Sequence, residues 1–193
     1  MHSQIRSHRM AVCRVGDDGR HDLESLIRTA FFCQHGAQVR SFMPNLLGLW
    51  GSTGRPTGAV GYRGADDGPL FLESYLSGPV EAVIEGRTAQ PVARSEIVEV
   101  GNLASLNCYA ALRLIAVLPP MLLAQGRRWI VFTATDTVRA VLTKLGAPLV
   151  ELTTADARKA PASDDWGSYY GRDPRVMLGH LPDGMRRHRA QTT

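Results

Sequence analysis

Cysteine is scarce in this chain: three residues in 193, at positions 13, 33 and 108, with no CxxC or CxH spacing. They cannot all pair with one another, which argues against a disulfide scaffold or a structural zinc site and for a reducing, cytoplasmic setting. Cys33 and Cys108 stand in apolar helical company and read as small buried hydrophobes. Histidine offers no cluster either. His2, His8 and His188 lie near the ends, and His21, His35 and His180 are far apart, so neither a metal-ligand set nor a Ser-His-Asp arrangement emerges. Long apolar runs are missing. The most apolar stretch, Tyr109 to Ala124, is interrupted by Arg113 and Pro119-Pro120. It falls short of the roughly 20 residues a bilayer requires, and the first fifteen residues hold no run of signal-peptide type.

An excess of one charge is also absent where it would matter. The formal net charge of +4 suggests a polyanionic partner. However, Arg6, Arg9 and Arg14 precede every acid, and Arg186, Arg187 and Arg189 follow the last one, Asp183. With those six set aside, 16 basic residues face 18 acidic ones between Val15 and Gly184. Nucleic acid is therefore not an expected partner. The expected layout is a flexible basic segment over 1–20, one domain over 21–182 and a basic tail over 183–193.

Within that body the apolar spacing predicts a helix from Asp22, which serves as its N-cap, to a stop at Gly36. An apolar segment, 39–50, and a short strand, 59–63, follow on either side of a turn-rich stretch. Leu70 to Leu76 reads as a short helix ended by Gly78-Pro79. Glu96 to Val100 (EIVEV) alternates and marks a two-faced strand, with Ile97 and Glu99 on one face. A helix is expected from about Ala104 to Leu118, with Pro119 opening a second helical piece. Trp129 to Thr133 reads as a buried strand, Thr137 to Leu145 as a helix capped by Asp136, and 148–152 and 175–181 as further strands. Such an alternation implies an α/β domain whose sheet has parallel central strands covered by helices. Ligands then sit where strands diverge at their carboxyl ends. Two such ends carry polar residues: Glu99-Val-Gly-Asn102 and Phe132-Thr-Ala-Thr135.

Six segments in order give the chain a wider likeness: Ala37-Gln-Val-Arg-Ser-Phe-Met-Pro44, Gly61-Tyr-Arg-Gly-Ala65, Pro69-Leu-Phe-Leu-Glu-Ser-Tyr-Leu76, Ile97-Val-Glu-Val-Gly-Asn-Leu-Ala-Ser105, Trp129-Ile-Val-Phe-Thr-Ala-Thr135 and Trp166-Gly-Ser-Tyr-Tyr170. On these the sequence resembles the thermostable hemolysin family, which in turn resembles the acyl-homoserine-lactone (autoinducer) synthases. The resemblance implies a single GNAT-like domain with a mixed central sheet flanked by helices. It also implies acyl transfer from a thioester to a small amine or amino acid, with no tightly bound cofactor. The glycine-rich pyrophosphate loop of ordinary GNAT enzymes is absent after Glu99, as is the arginine that follows the acidic strand in autoinducer synthases. The donor therefore stays open between coenzyme A and an acyl carrier protein, whose phosphopantetheine presents a single phosphate.

For that chemistry Glu99 is the candidate base or amine-binding carboxylate, its alternative being an ion pair with Arg63 or Arg94. Gly101 supplies either a bulge with an exposed N–H or a plain turn. Asn102 either caps the following helix or binds substrate. Thr133 and Thr135 either hydrogen-bond the substrate or cap a strand end, beside Phe132. Arg63 completes the substrate-binding set. Tyr169 or Tyr170 is the candidate acid for the leaving thiol, against a half-buried packing role, and Trp166 packs. Two rival readings stand beside the enzyme: a directly membrane-lytic protein, and a non-catalytic ligand-binding module on the same fold.

Overall fold

The alternation at Glu96–Val100 fixes the frame of the molecule. In the computed structural model, which describes residues 9–161 and 163–191, it becomes strand β4 (Ile97–Ser105). Ile97 packs on one side with Leu72, Val80 and Ile84, and Val98 on the other with Leu47, Val60 and Leu114. Around it stand β1 (Arg9–Cys13), β2 (Asn45–Trp50), β3 (Pro56–Gly64), β5 (Trp129–Ala134), β6 (Leu149–Thr154) and β7 (Arg175–His180). They form one mixed sheet in the order β1-β2-β3-β4-β5-β7-β6. Among the described residues, only β4 and β5 run parallel. The expected parallel centre thus shrinks to a single pair, because β7 enters between β5 and β6 antiparallel to both.

Helices α1 (Arg20–His35) and α2 (Val80–Thr88) cover the Glu99 face, while α3 (Cys108–Ala124), α4 (Asp136–Lys144) and α5 (Leu181–Gln191) cover the other. Helix α1 begins at Gly19 (φ 81°), so Asp22 lies in its first turn and not at the cap. There its charge complements the helix dipole. Gly36, left-handed at φ 67°, ends the helix as expected. Helix α2 has no counterpart in the sequence reading. It offers only Val80 and Ile84 as buried positions, and the proline read as a stop is its N-cap.

The expected helix from Ala104 is corrected as well. Strand β4 continues to Ser105, and α3 starts only after Asn107, whose Oδ1 accepts the Ala110 N–H at 2.9 Å. Nor does Pro119 open a second helix: Pro119 and Pro120 lie inside a continuous α3. They remove the N–H groups that would meet the carbonyls of Ile115 and Ala116. The buried stripe Ala110, Leu114, Leu118 and Leu122 outweighs that loss.

The ends differ from expectation. Arg9–Cys13, assigned above to a flexible segment, pair with β2 as an edge strand. Residues 183–191 continue α5 instead of forming a separate tail. Residues 1–8, 192 and 193 of those two segments lie outside the described residues. Cys33 and Cys108, expected to be buried, are exposed, because Cys33 points off the outer face of α1 and Cys108 opens α3; Cys13 is buried. No described helix is long and apolar enough to cross a membrane.

Candidate active site at the strand splay

Parallel pairing between β4 and β5 ends at Val100 opposite Phe132. Beyond that point β4 stays with β3, and β5 pairs Thr133 and Ala134 with β7. The two strands therefore part, and a gap opens through the sheet. A bulge sharpens the parting. Gly101 lies opposite Gly61 and Ala104 opposite Ala59, so Asn102 and Leu103 together face Val60. Asn102 takes the strain at φ 51° and caps no helix. Its Oδ1 accepts the Met43 N–H at 2.9 Å, tying the 37–44 segment over the bulge. Glycine is needed below this segment, since a Cβ on Gly61 would lie 2.7 Å from Met43 Cβ.

A cavity of about 450 Å³ occupies the gap, and all nine residues singled out from the sequence line it. Its two halves differ in chemistry. On the Glu99 face lie Arg63, Glu99, Thr133 and a set of aromatic rings. On the opposite face, under α3 and α4, lie Ile115, Leu118, Ile130, Val138 and Leu142. A polar head group and an apolar chain would each find a matching half.

Glu99 is 3% exposed. Its oxygens accept the N–H groups of Phe71 (2.9 Å) and Leu72 (3.0 Å). Burial pushes its carboxyl up to about 7, against the lowering effect of those two bonds and of the Arg63 charge. Neither ion pair considered above forms. Arg63 is opposite Glu99 in the sheet but makes no salt bridge among the described residues. Arg94 instead grips Glu73 and Glu81, at 2.8 and 2.6 Å.

That second network sets the position of the first. Arg94 also donates to the carbonyls of Ala65 and Gly68, while Glu73 accepts from Leu70 and from Val80 at the start of α2. The turn bearing Phe71 and Leu72 is thereby fastened beneath Glu99. The Arg94 guanidinium holds the Glu73 carboxyl down to about 2, from an ordinary 4.5. Its contribution to stability is therefore present above pH 4.5 and lost as pH falls through about 2. Arg94→Met is expected to cost roughly 2–3 kcal/mol in urea unfolding. The gap between wild type and variant should shrink as pH falls from 4.5 through about 2, because acid removes from the wild type the Glu73 contribution that the variant already lacks.

Aromatic side chains wall the polar half. The Tyr75 and Tyr170 hydroxyls share a hydrogen bond of 2.5 Å. Burial pushes both phenols, and that of Tyr169, above the ordinary tyrosine range, so they remain protonated donors. Tyr169 reaches the Thr133 carbonyl at a long 3.5 Å and stacks edge-on against His35. Trp166 packs against Phe31 and Phe71. Thr135 occupies the N-cap position of α4 without a side-chain cap bond.

Gly167 fastens this wall to α1. At φ 51° it lies so close that a Cβ would be 2.1 Å from the His35 carbonyl oxygen, which also accepts the Ser168 N–H at 2.8 Å. Gly167→Ala is expected to lift the 166–170 segment off α1. The loss should be about 2–3 kcal/mol of stability, read in thermal unfolding together with increased tryptophan quenching by iodide.

Sequence reasoning missed the backbone donors at 71 and 72, the rings of Phe31 and Phe71, and His35. His35 is 8% exposed, its Nδ1 has no partner, and burial holds the imidazole below its ordinary value. Only the Phe71 segment carried a signal, as part of the 69–76 motif.

Comparison with known proteins adds three observations. The family model described as Thermostable hemolysin matches residues 13–185. No curated protein matches the sequence. Among solved structures, FeeM, an N-acyl amino acid synthase from uncultured soil microbes, superposes with a TM-score of 0.64 at 13% identity, covering 91% of this chain and 92% of that one. The acyl-homoserine-lactone synthase LasI gives 0.63 at 14%, covering 91% of each. The CoA-dependent acyl-homoserine lactone synthase MesI gives 0.57 at 18%, covering 95% and 94%. At these identities the likeness establishes a shared fold, the single α/β domain described above.

Proposed function

The chain belongs to the thermostable hemolysin family, and we propose that it is an N-acyltransferase joining the acyl group of a carrier thioester to a small amine or amino acid. One observation carries this reading: a buried carboxyl, pushed up to about 7 by its burial, stands at a strand splay, with an apolar chamber on the far side of the same opening. The acyl chain lies under α3 and α4, and its thioester carbonyl reaches the gap beside Gly101. Glu99 takes a proton from the incoming ammonium, and the freed nitrogen attacks the carbonyl carbon. Tyr169 or Tyr170 protonates the departing sulfur. Asn102, Phe132, Thr133 and Thr135 shape the passage between the two halves. The junction before α3 is capped by an asparagine side chain and not by a glycine-rich turn. That favours a donor gripped through its pantetheine arm, from an acyl carrier protein or from coenzyme A.

In this reading haemolysis is indirect, since an acylated amino acid is a surfactant. The test compares purified protein with lipid extracts of cells expressing the wild type or Glu99→Ala. Lysis by the wild-type extract alone, with a new acylated amine in it, is the expected result. Lysis of erythrocytes by purified protein, equal for both variants, would establish the direct membrane-lytic alternative.

A further inference from the structure

We infer that the amine substrate is an α-amino acid whose α-carboxylate is received by Arg63. This deepens the acyl-transfer reading and rests on it. Arg63 lies directly opposite Glu99 in the antiparallel β3–β4 pair, so both side chains leave the same face of the sheet. They nonetheless do not satisfy each other. Glu99 spends its oxygens on the Phe71 and Leu72 N–H groups. Arg63 donates once, from Nη1 to the Pro69 carbonyl at 3.1 Å, and its buried Nε has no partner. Other partly buried arginines are committed to carboxylates: Arg20 to Glu24, Arg94 to Glu73 and Glu81, Arg127 to Asp66.

A buried donor without an acceptor is costly, and native structures rarely leave one unless something binds there. A guanidinium with an open edge is the group that takes a carboxylate through two parallel hydrogen bonds. Among the described residues lining the cavity, Arg63 is the sole guanidinium and Glu99 the sole carboxylate. A simple amine would answer Glu99 and leave Arg63 unmatched. An α-amino acid carries ammonium and carboxylate on one carbon, as the facing pair requires, and its side chain can turn toward Phe31, Phe71 and Trp166. The reaction balances. The C–S bond of the thioester breaks as the C–N bond forms. Of the two protons the ammonium loses, Glu99 takes one and passes it to solvent, and the other restores the tyrosine, Tyr169 or Tyr170, that protonated the departing sulfur to give the thiol. The carboxylate is untouched.

The test uses ligands that differ only in that group: L-phenylalanine, L-leucine and L-methionine against phenethylamine, isoamylamine and 3-methylthiopropylamine, with L-phenylalaninamide as a further control. Binding is measured calorimetrically without donor, and amide formation by mass spectrometry with octanoyl-CoA and octanoyl-carrier protein. At least one amino acid should bind roughly 10- to 100-fold tighter than its amine and be acylated in preference to it. Arg63→Met should erase that preference, bringing the amino acid and its amine to the same affinity. The wild-type ligand comparison stands even if the variant fails to fold. Equal binding of amino acid and amine, or no binding by any of the three amino acids, overturns the inference. Acylation of amines but not amino acids overturns it while leaving acyl transfer intact. Carboxylate-dependent binding lost in Arg63→Met, with no amide from any pair, supports the Arg63 subsite and overturns acyl transfer.

Discussion

Glu99→Gln is expected to reduce acyl transfer by roughly 10²- to 10⁴-fold, the range associated with loss of a general base. The substitution keeps the volume of a 3%-exposed side chain, so the cavity keeps its shape. What disappears is the ability to take a proton. One of the two donors at Phe71 and Leu72 would also face an amide N–H₂, a local cost of about 1–3 kcal/mol. The wild type should show a rate that climbs as pH rises through about 7, because only ionised Glu99 accepts the proton. The stability signature has the opposite sense. Burial favours the protonated form, so the contribution of Glu99 to folding is fully present below its ordinary value of 4.5 and is lost as pH rises through about 7. The variant should lack both the rate limb and the stability decline. Kinetic pH profiles and urea unfolding at pH 5 and pH 8 read the two effects on the same preparations.

Filling the apolar half produces the second large effect, on donor selection. Ile115, on α3, lines the apolar half of the cavity. Ile115→Trp should exclude long acyl chains while leaving acetyl and butyryl donors usable. Each methylene denied burial forfeits about 0.8 kcal/mol, so displacing four carbons amounts to roughly 10²-fold or more in kcat/KM for dodecanoyl donors. Competition between dodecanoyl and butyryl thioesters in one vessel measures the ratio directly. Uniform loss across chain lengths would mean that the chain does not lie under α3.

Much of this site could be read from residue order, because strand patterning is local. EIVEV placed Glu99 on a buried face, and the run at 129–133 placed Phe132 and Thr133 at the end of its neighbour. The splay itself was inferred from strand alternation, although only one parallel pair creates it. What escaped depended on contacts distant in sequence. The bulge at Asn102 is stabilised by Met43, 59 residues away, and without it Gly101-Asn102 reads as the end of a strand. The Pro119-Pro120 pair obeys a local rule that burial of the α3 stripe overrides. Helix α2 has too few apolar positions to announce itself, and its start is capped by Glu73 across seven residues. The partners considered for Glu99 were the expected arginines. Its actual partners are backbone amides, which no sequence pattern displays.

The most direct test of the account follows both products of one turnover. Purified protein is incubated with an octanoyl thioester and the amino-acid panel, while free thiol is followed by its colour reaction and N-octanoyl amino acid by mass spectrometry. Acyl transfer through Glu99 predicts thiol and amide in equal amounts, both lost in Glu99→Gln. Thiol release without amide, or amide formation that persists in Glu99→Gln, would contradict it.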